Sequence, residues 1–236
     1  MDTGNLTWIL VSAALVLFMT PGLAFFYGGM VRSRNVLNML MMNFWCILVV
    51  PLLWVVVGFS LALSGDGSFI GNFDNAFLRG LDFTTEEPAV MIFLATFAAI
   101  TPALISGAVA DRMKFAAWAI FVPIWSLLVY CPVVFWIYGA EGWLKVRGSL
   151  DFAGGTAIHV NAGIAALAAV LVLGKRRGFP KDLSPPHSMP LVMIGTGILW
   201  FGWFGFNAGS ALAADGIAIQ AFINTMLAAA AGGLAW

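Results

Sequence analysis

Residues 36–64 read VLNMLMMNFWCILVVPLLWVVVGFSLALS, 29 positions without one Asp, Glu, Lys, Arg or His. A hydrocarbon core of ~30 Å is crossed by roughly 20 apolar residues in a helix rising ~1.5 Å each. This stretch is therefore longer than a bilayer is thick. An all-round apolar helix has no polar face to give to water, so it must be enclosed by protein or by lipid. Working outward, six more runs have the same character: 6–31, 88–110, 115–139, 152–174, 189–212 and 217–236. Arg32-Ser33-Arg34-Asn35 and Asp111-Arg112-Met113-Lys114 separate two pairs of runs so tightly that each pair must form an antiparallel hairpin. Residues 66–87 form the only long loop, with room for a short helix of its own. The last run reaches Trp236 without a polar flank and is expected to stop inside or at the end of a span.

Composition agrees with this reading. The 236 residues are 61% hydrophobic and 9% charged, with a mean hydropathy of +0.96. A soluble domain is roughly half apolar and about a quarter charged. So few charges cannot cover a surface in water, and the surplus apolar area calls for a lipid solvent. The predicted fold is all-α: a polytopic transmembrane helical bundle forming one domain over 1–236.

A formal net charge of zero points to no nucleic-acid partner. Cys46 and Cys131 lie inside apolar runs, read as small buried hydrophobes and have no metal-type spacing. No cofactor is expected. Met1-Asp2 lacks the basic n-region of a cleavable signal, so the first helix is expected to be retained. Basic residues set sidedness. With the N-terminus outside, Arg32, Arg34, Arg112, Lys114, Lys175, Arg176, Arg177 and Lys181 are cytoplasmic, and only Arg79, Lys145 and Arg147 lie outside. The outer loop 65–87 holds Asp66, Asp74, Asp82, Glu86 and Glu87. It is either a solvated loop or a vestibule that modestly enriches cations.

Polar groups inside the spans carry the functional signal. Pro21, Pro51, Pro102, Pro123 and Pro132 interrupt helices, and Gly202, Gly205 and Gly209 allow close backbone contact between them. In the fifth run, Asp151, Gly155 and His159 fall at i, i+4 and i+8, one helical face. Asp151 at the outer end suits an N-terminal cap. His159 lies two turns deeper, where a polar ring needs a partner or a cavity. A neutral imidazole there either relays a proton and binds a small polar molecule, or simply hydrogen-bonds a neighbouring helix. His187, beside Pro185-Pro186, reads as a loop residue. In the sixth run, Trp200-Phe201-Gly202-Trp203-Phe204-Gly205-Phe206 is either a lipid-facing belt or a set of rings lining a passage, where ring faces attract a desolvated cation. Ser210 adds a hydroxyl acceptor at the outer end.

The motifs together resemble the ammonium transporter (Amt/Mep/Rh) family, its Amt branch in particular. The likeness rests on Pro21-Gly22 with Phe26-Tyr27-Gly28-Gly29, on Arg34-Asn35-Val36-Leu37, and on Leu150-Asp151-Phe152-Ala153-Gly154-Gly155-Thr156 with His159 and Asn161. Trp203-Phe204-Gly205-Phe206-Asn207-Ala208-Gly209-Ser210 and Phe222-Ile223-Asn224-Thr225 complete it, in the same order along nearly all of the chain.

The resemblance implies transport of ammonium and methylammonium, with no enzymatic step. It implies an outer recruitment site made by an aromatic cage and the Ser210 hydroxyl, with Phe97 in the cage. Phe97 and Phe206 would also form a stacked phenyl gate. Asp151 would orient the site and stabilise the cation without touching it, and His159 would be the first of a histidine pair in a narrow apolar pore. Where the family has a cage tryptophan this chain has Tyr138, with Trp136 two residues earlier; a tyrosine face binds a cation more weakly. The resemblance further implies a homotrimer in the plasma or inner membrane that meets a trimeric nitrogen-signalling protein on its cytoplasmic face. Family members have about eleven helices in two inverted halves with the site where they meet. The chain covers the first half plus two helices, and is expected to lack a closed pore as a fragment or truncated product. Two other readings compete: a membrane sensor that binds ammonium, and a non-conducting remnant. An intramembrane enzyme would need a nucleophile, metal set or oxyanion site that one aspartate and one histidine do not supply.

Overall fold

A computed structural model of the chain describes residues 2–176, 178–181 and 185–236. Arg177, one of the basic residues assigned to the cytoplasmic side, lies outside the described residues. Among the described residues seven helices are long and apolar enough to cross a bilayer: α1 (Thr3–Met30), α2 (Ser33–Leu63), α3 (Glu87–Val109), α4 (Phe115–Val146), α5 (Gly155–Leu173), α6 (Met189–Gly209) and α7 (Gly216–Ala235). No strand occurs among the described residues. The fold class read from the sequence is the one observed.

Helix starts are placed where a side chain can meet orphan amides. Asp2 accepts from the Asn5 amide at 2.9 Å, and Asp215 accepts from those of Ile217 and Ala218 at 2.9 and 3.0 Å. These caps start α1 and α7 a little earlier than the apolar runs. The proline positions are structured differently from one another. Pro21 and Pro102 sit within unbroken α-helix. Pro51 and Pro123 each precede a π-helical turn by three residues, at Trp54–Gly58 in α2 and Ser126–Tyr130 in α4. A missing N–H breaks the i→i−4 ladder, and a wider turn is one way to absorb the break. Pro132 follows the second of these turns. The α4 segment is helical to Tyr138, turns over at 139–142 and adds a single turn at Trp143–Val146.

Two run boundaries differ from those expected. The sixth run extends to 212, yet α6 ends at Gly209: the next amides reach only three residues back, and Leu212 takes a positive φ of 57°. The fifth run begins at 152, yet α5 begins at Gly155, because a left-handed Gly154 separates the helix from the residues before it.

At the centre stands α3, with Ala98, Ala99, Ala103 and Ile105 fully buried. It packs on α1, α2 and α5, while α1 runs along α6 for most of its length. Glycine sets that last contact: an added Cβ at Gly195 would lie 2.3 Å from the Phe26 backbone nitrogen, and one at Gly205 2.9 Å from the Ser12 carbonyl oxygen. Indole donors tie α2 to its neighbours, Trp54 to the Met91 carbonyl at 3.1 Å and Trp118 to the Met42 carbonyl at 2.8 Å. The loop after α2 makes a tight turn at Ala76–Leu78, where Phe77 and Leu78 take positive φ of 58° and 62°, and is fastened to the helix end by Gly71 N–H to the Leu61 carbonyl and Asn75 N–H to the Ser60 hydroxyl. Within it, the Thr84 amide and hydroxyl both donate to Asp82 and hold that carboxyl below its usual range.

Candidate functional site

Asp151 does not lie on a helix. Gly154 takes a left-handed φ of 89°, which folds the segment back so that the carboxylate sits over the start of α5. One oxygen accepts from the amides of Gly154 and Gly155 at 2.7 and 2.8 Å; the other accepts from Thr156 and Ala157 at 2.8 and 2.9 Å. An ionised carboxylate has about four lone-pair sites, and here all are filled by backbone. The first turn, Gly155–Val160, is π-helical. The placement of Asp151 on the helix is thereby corrected, since it precedes the first turn, yet Asp151, Gly155 and His159 still face one cleft. The four amides and the positive end of the helix dipole stabilise the charge of Asp151.

His159, half-buried, faces a cleft of about 1180 Å³ between α5, α6 and α7, with Asp151, Thr156, Trp203, Phe206 and Asn224 also in its wall. Its ring lies nearly parallel to that of Trp203, 9° between planes with centroids 5.8 Å apart, and meets Phe206 at 5.7 Å and 41°. Phe206 in turn meets Phe97 of α3 at 4.4 Å and 32°, and Phe97 meets Phe93 at 4.7 Å. Phe97 and Phe206 are buried. A continuous line of rings thus runs from α3 through α6 to the imidazole.

The sixth run's aromatics divide between the two readings the sequence leaves open. Trp203 and Phe206 turn to His159, Phe204 stacks on Phe222 of α7 at 4.3 Å, and Phe201 is exposed on the outside of the bundle. Sequence reasoning does not single out Trp203, although its i, i+3 spacing from Phe206 puts both on one helix face.

The remaining candidates stand nearby in separate groups. Tyr138 faces the Asp151 carboxylate and the Gly154 backbone. Trp136 points elsewhere, donating to the Phe69 carbonyl at 2.7 Å and meeting Trp143 edge-on. Ser210 follows Phe206 by one turn and donates its hydroxyl to the Phe206 carbonyl at 2.7 Å, which leaves its lone pairs free. His187 lies in a loop, its Nδ1 2.9 Å from the Val31 carbonyl oxygen and away from the cleft. Among the described residues no cluster of His, Cys, Asp or Glu is arranged to hold a metal, and Cys46 and Cys131 are buried and unpaired.

Comparison with known proteins matches residues 7–236 to the model of the Ammonium Transporter Family. The chain is similar to an ammonium transporter of Aquifex aeolicus, 51% identical over all of the chain and 57% of the relative. It is also 49% identical to an ammonium transporter of Mycobacterium tuberculosis, covering all of the chain and 56% of that relative. The crystal structure of Candida albicans Mep2 superposes on the whole chain and 54% of its own with a TM-score of 0.92 at 35% identity. The chain thus spans between half and three-fifths of the length of these relatives. With seven membrane-length helices and that match along nearly its full length, the chain is a multi-pass membrane protein and belongs to the Ammonium Transporter Family, a family of transporters rather than enzymes.

Proposed function

We propose that this chain forms one wall of an ammonium transport path across the cell membrane, with the N-terminus outside. The observation that carries the proposal is the line of rings Phe97, Phe206, Trp203 ending on a half-buried imidazole in a cleft. A desolvated cation is held by ring faces and a hydroxyl acceptor, here Phe97, Tyr138 and Ser210. Asp151 acts on it through space, since its lone pairs are spent on four amides. Carrying an intact ion through an apolar passage is costly. Deprotonation at the outer site, passage of neutral ammonia past the Phe97–Phe206 gate and a proton path through His159 lower that cost. Methylammonium fits the same chemistry. The assembly is a homotrimer in the bilayer whose cytoplasmic face is available to a trimeric nitrogen-signalling protein, as the family resemblance implies.

The test is methylammonium uptake by cells that lack ammonium transporters of their own. They express the chain completed to family length with the second half of a relative. His159→Ala and Asp151→Ala are expected to lose most uptake, about tenfold or more if a proton path of general acid–base type is removed, and His187→Ala to retain it. Equal uptake by all three variants overturns the site. Ammonium binding without uptake by the unsubstituted protein favours the sensor reading instead.

A further inference from the structure

Helix α6 ends at Gly209, and the residues just beyond it hold together weakly on their own. The amides of Ser210, Ala211 and Leu212 reach only the carbonyls three residues back, at 3.2, 3.3 and 2.9 Å, and Leu212 takes a positive φ. Bonds of that kind have poorer geometry than those of an α-helix and seldom continue. The turn is fastened from outside instead, by α1. The Trp8 indole N–H donates to the Ala208 carbonyl at 3.1 Å, and the Asn5 side-chain oxygen accepts from the Ala214 amide at 3.0 Å. Next along α1, an added Cβ at Gly209 would lie 2.5 Å from the Ser12 Cβ, so the two helices meet closely there. Asn5, Trp8 and Ser12 stand at i, i+3 and i+7, one face of α1. That face starts from a fixed point: Asp2 accepts from the Asn5 amide, and its own amide donates to Glu86.

Ser210 lies between the two anchors, two residues after Ala208 and four before Ala214. Its hydroxyl donates to the Phe206 carbonyl, which sets the rotamer of the side chain. Where the oxygen itself stands follows from how the turn sits on α1. We propose that Asn5 and Trp8 are positioning residues for Ser210, pinning the turn that carries it to α1 from either side. This rests on the reading of Ser210 as the hydroxyl acceptor of the outer site. A displaced acceptor weakens the hold on an incoming cation and leaves the steps deeper in the path alone. The effect therefore belongs in KM rather than in the maximal rate.

The test uses the completed transporter and the chain itself. Asn5→Leu removes the acceptor, while Asn5→Asp keeps one; Trp8→Phe removes the donor and keeps a ring. The Thr7 hydroxyl bonds within α1, to the Thr3 carbonyl, so Thr7→Ala is the control. In methylammonium uptake, Asn5→Leu and Trp8→Phe are expected to raise KM roughly three- to tenfold, the effect of one lost hydrogen bond, with the maximal rate kept. Asn5→Asp should recover most of that loss, and Thr7→Ala should match the parent. In the chain itself, held in lipid nanodiscs, the Ala214 amide should exchange its hydrogen slowly although the residue is exposed. Asn5→Leu should speed that exchange and Asn5→Asp should not. A KM unmoved by Asn5→Leu and Trp8→Phe, a fall in maximal rate alone, or an Asp variant no better than Leu overturns the inference. Should one of the two variants disturb folding, the other decides. Should both, the unsubstituted chain decides, and fast exchange at Ala214 overturns the inference. Ser210→Ala that raises KM while the Asn5 and Trp8 variants do not refutes this inference alone. Ser210→Ala without effect on KM refutes the outer-site reading beneath it.

Discussion

Four backbone amides converge on one carboxylate at Asp151, two to each oxygen. Replacing a helix-capping aspartate with alanine costs about 0.5–2 kcal/mol in general, and a carboxylate that accepts from four amides belongs at the upper end of that range. Asp151→Ala should therefore destabilise the chain by about 2 kcal/mol, read as a lower melting temperature in detergent. Asparagine is a revealing control. Its single carbonyl oxygen can serve one pair of amides, but its NH₂ then faces the other pair, donor against donor. Asp151→Asn should be nearly as unstable as Asp151→Ala, although aspartate and asparagine share the same outline. An Asn variant as stable as the parent would mean that the carboxylate geometry contributes little. At this scale the sequence offers the cap at Asp151 through its residue type and place before a run. It cannot offer the left-handed Gly154 that turns the carboxylate inward, because a glycine before a helix is compatible with many conformations.

Elements meet here through missing side chains. In lipid no hydrophobic drive brings helices together, so contact depends on how closely backbones approach. Along α6, Gly195 faces the backbone of α1, with an added Cβ 2.3 Å from Phe26 nitrogen and 2.6 Å from the Gly22 carbonyl oxygen. Backbone cannot swing aside as a flexible side chain can. Gly197, two residues on, has nothing within 4 Å of such an atom. The pair makes an internal comparison on one helix. Gly195→Ala should cost about 1–3 kcal/mol through overpacking, and Gly197→Ala should be neutral or gain up to about 1 kcal/mol from helix propensity. Thermal unfolding of the two variants checks this; equal melting temperatures would remove close approach as the bond between α1 and α6. The seven elements themselves are legible as runs, because uninterrupted apolarity of membrane length has few other meanings. Their ends and bends are less so. The π-helical turns at Trp54–Gly58 and Ser126–Tyr130 are marked only by a proline three residues earlier, which Pro21 and Pro102 show does not by itself predict a wide turn, and the turn at Gly155–Val160 has no proline at all. Trp203 escapes notice for a related reason: a run with an aromatic at almost every position does not say which ring turns inward.

The whole molecule has two ends defined by contacts between loops. At one, Asn35 donates to Asp111, Arg112 to the Gly174 carbonyl, Arg176 to the Gly107 carbonyl at 3.2 Å, and His187 contacts the Val31 carbonyl. At the other, the Asp2 amide donates to Glu86, the Ala214 amide to Asn5, and the Trp143 amide to the Ser68 carbonyl. The first end carries Arg32, Arg34, Arg112, Lys114, Lys175 and Arg176, and the second carries Arg79, Lys145 and Arg147. This bias is the ground for the proposed orientation, with the basic end in the cytoplasm. The native thiols give a silent background for testing it, since Cys46 is 0% exposed and Cys131 2%. Ser33 and Ser68 are exposed, one at each end, and neither substitution changes the charge pattern that sets topology. In intact cells a membrane-impermeant maleimide should label Ser68→Cys at once and Ser33→Cys only after permeabilisation. The reverse pattern would invert the bundle. It would turn Asp151 and the start of α5 toward the cytoplasm, and would reverse the direction of cation entry in the proposed transport path.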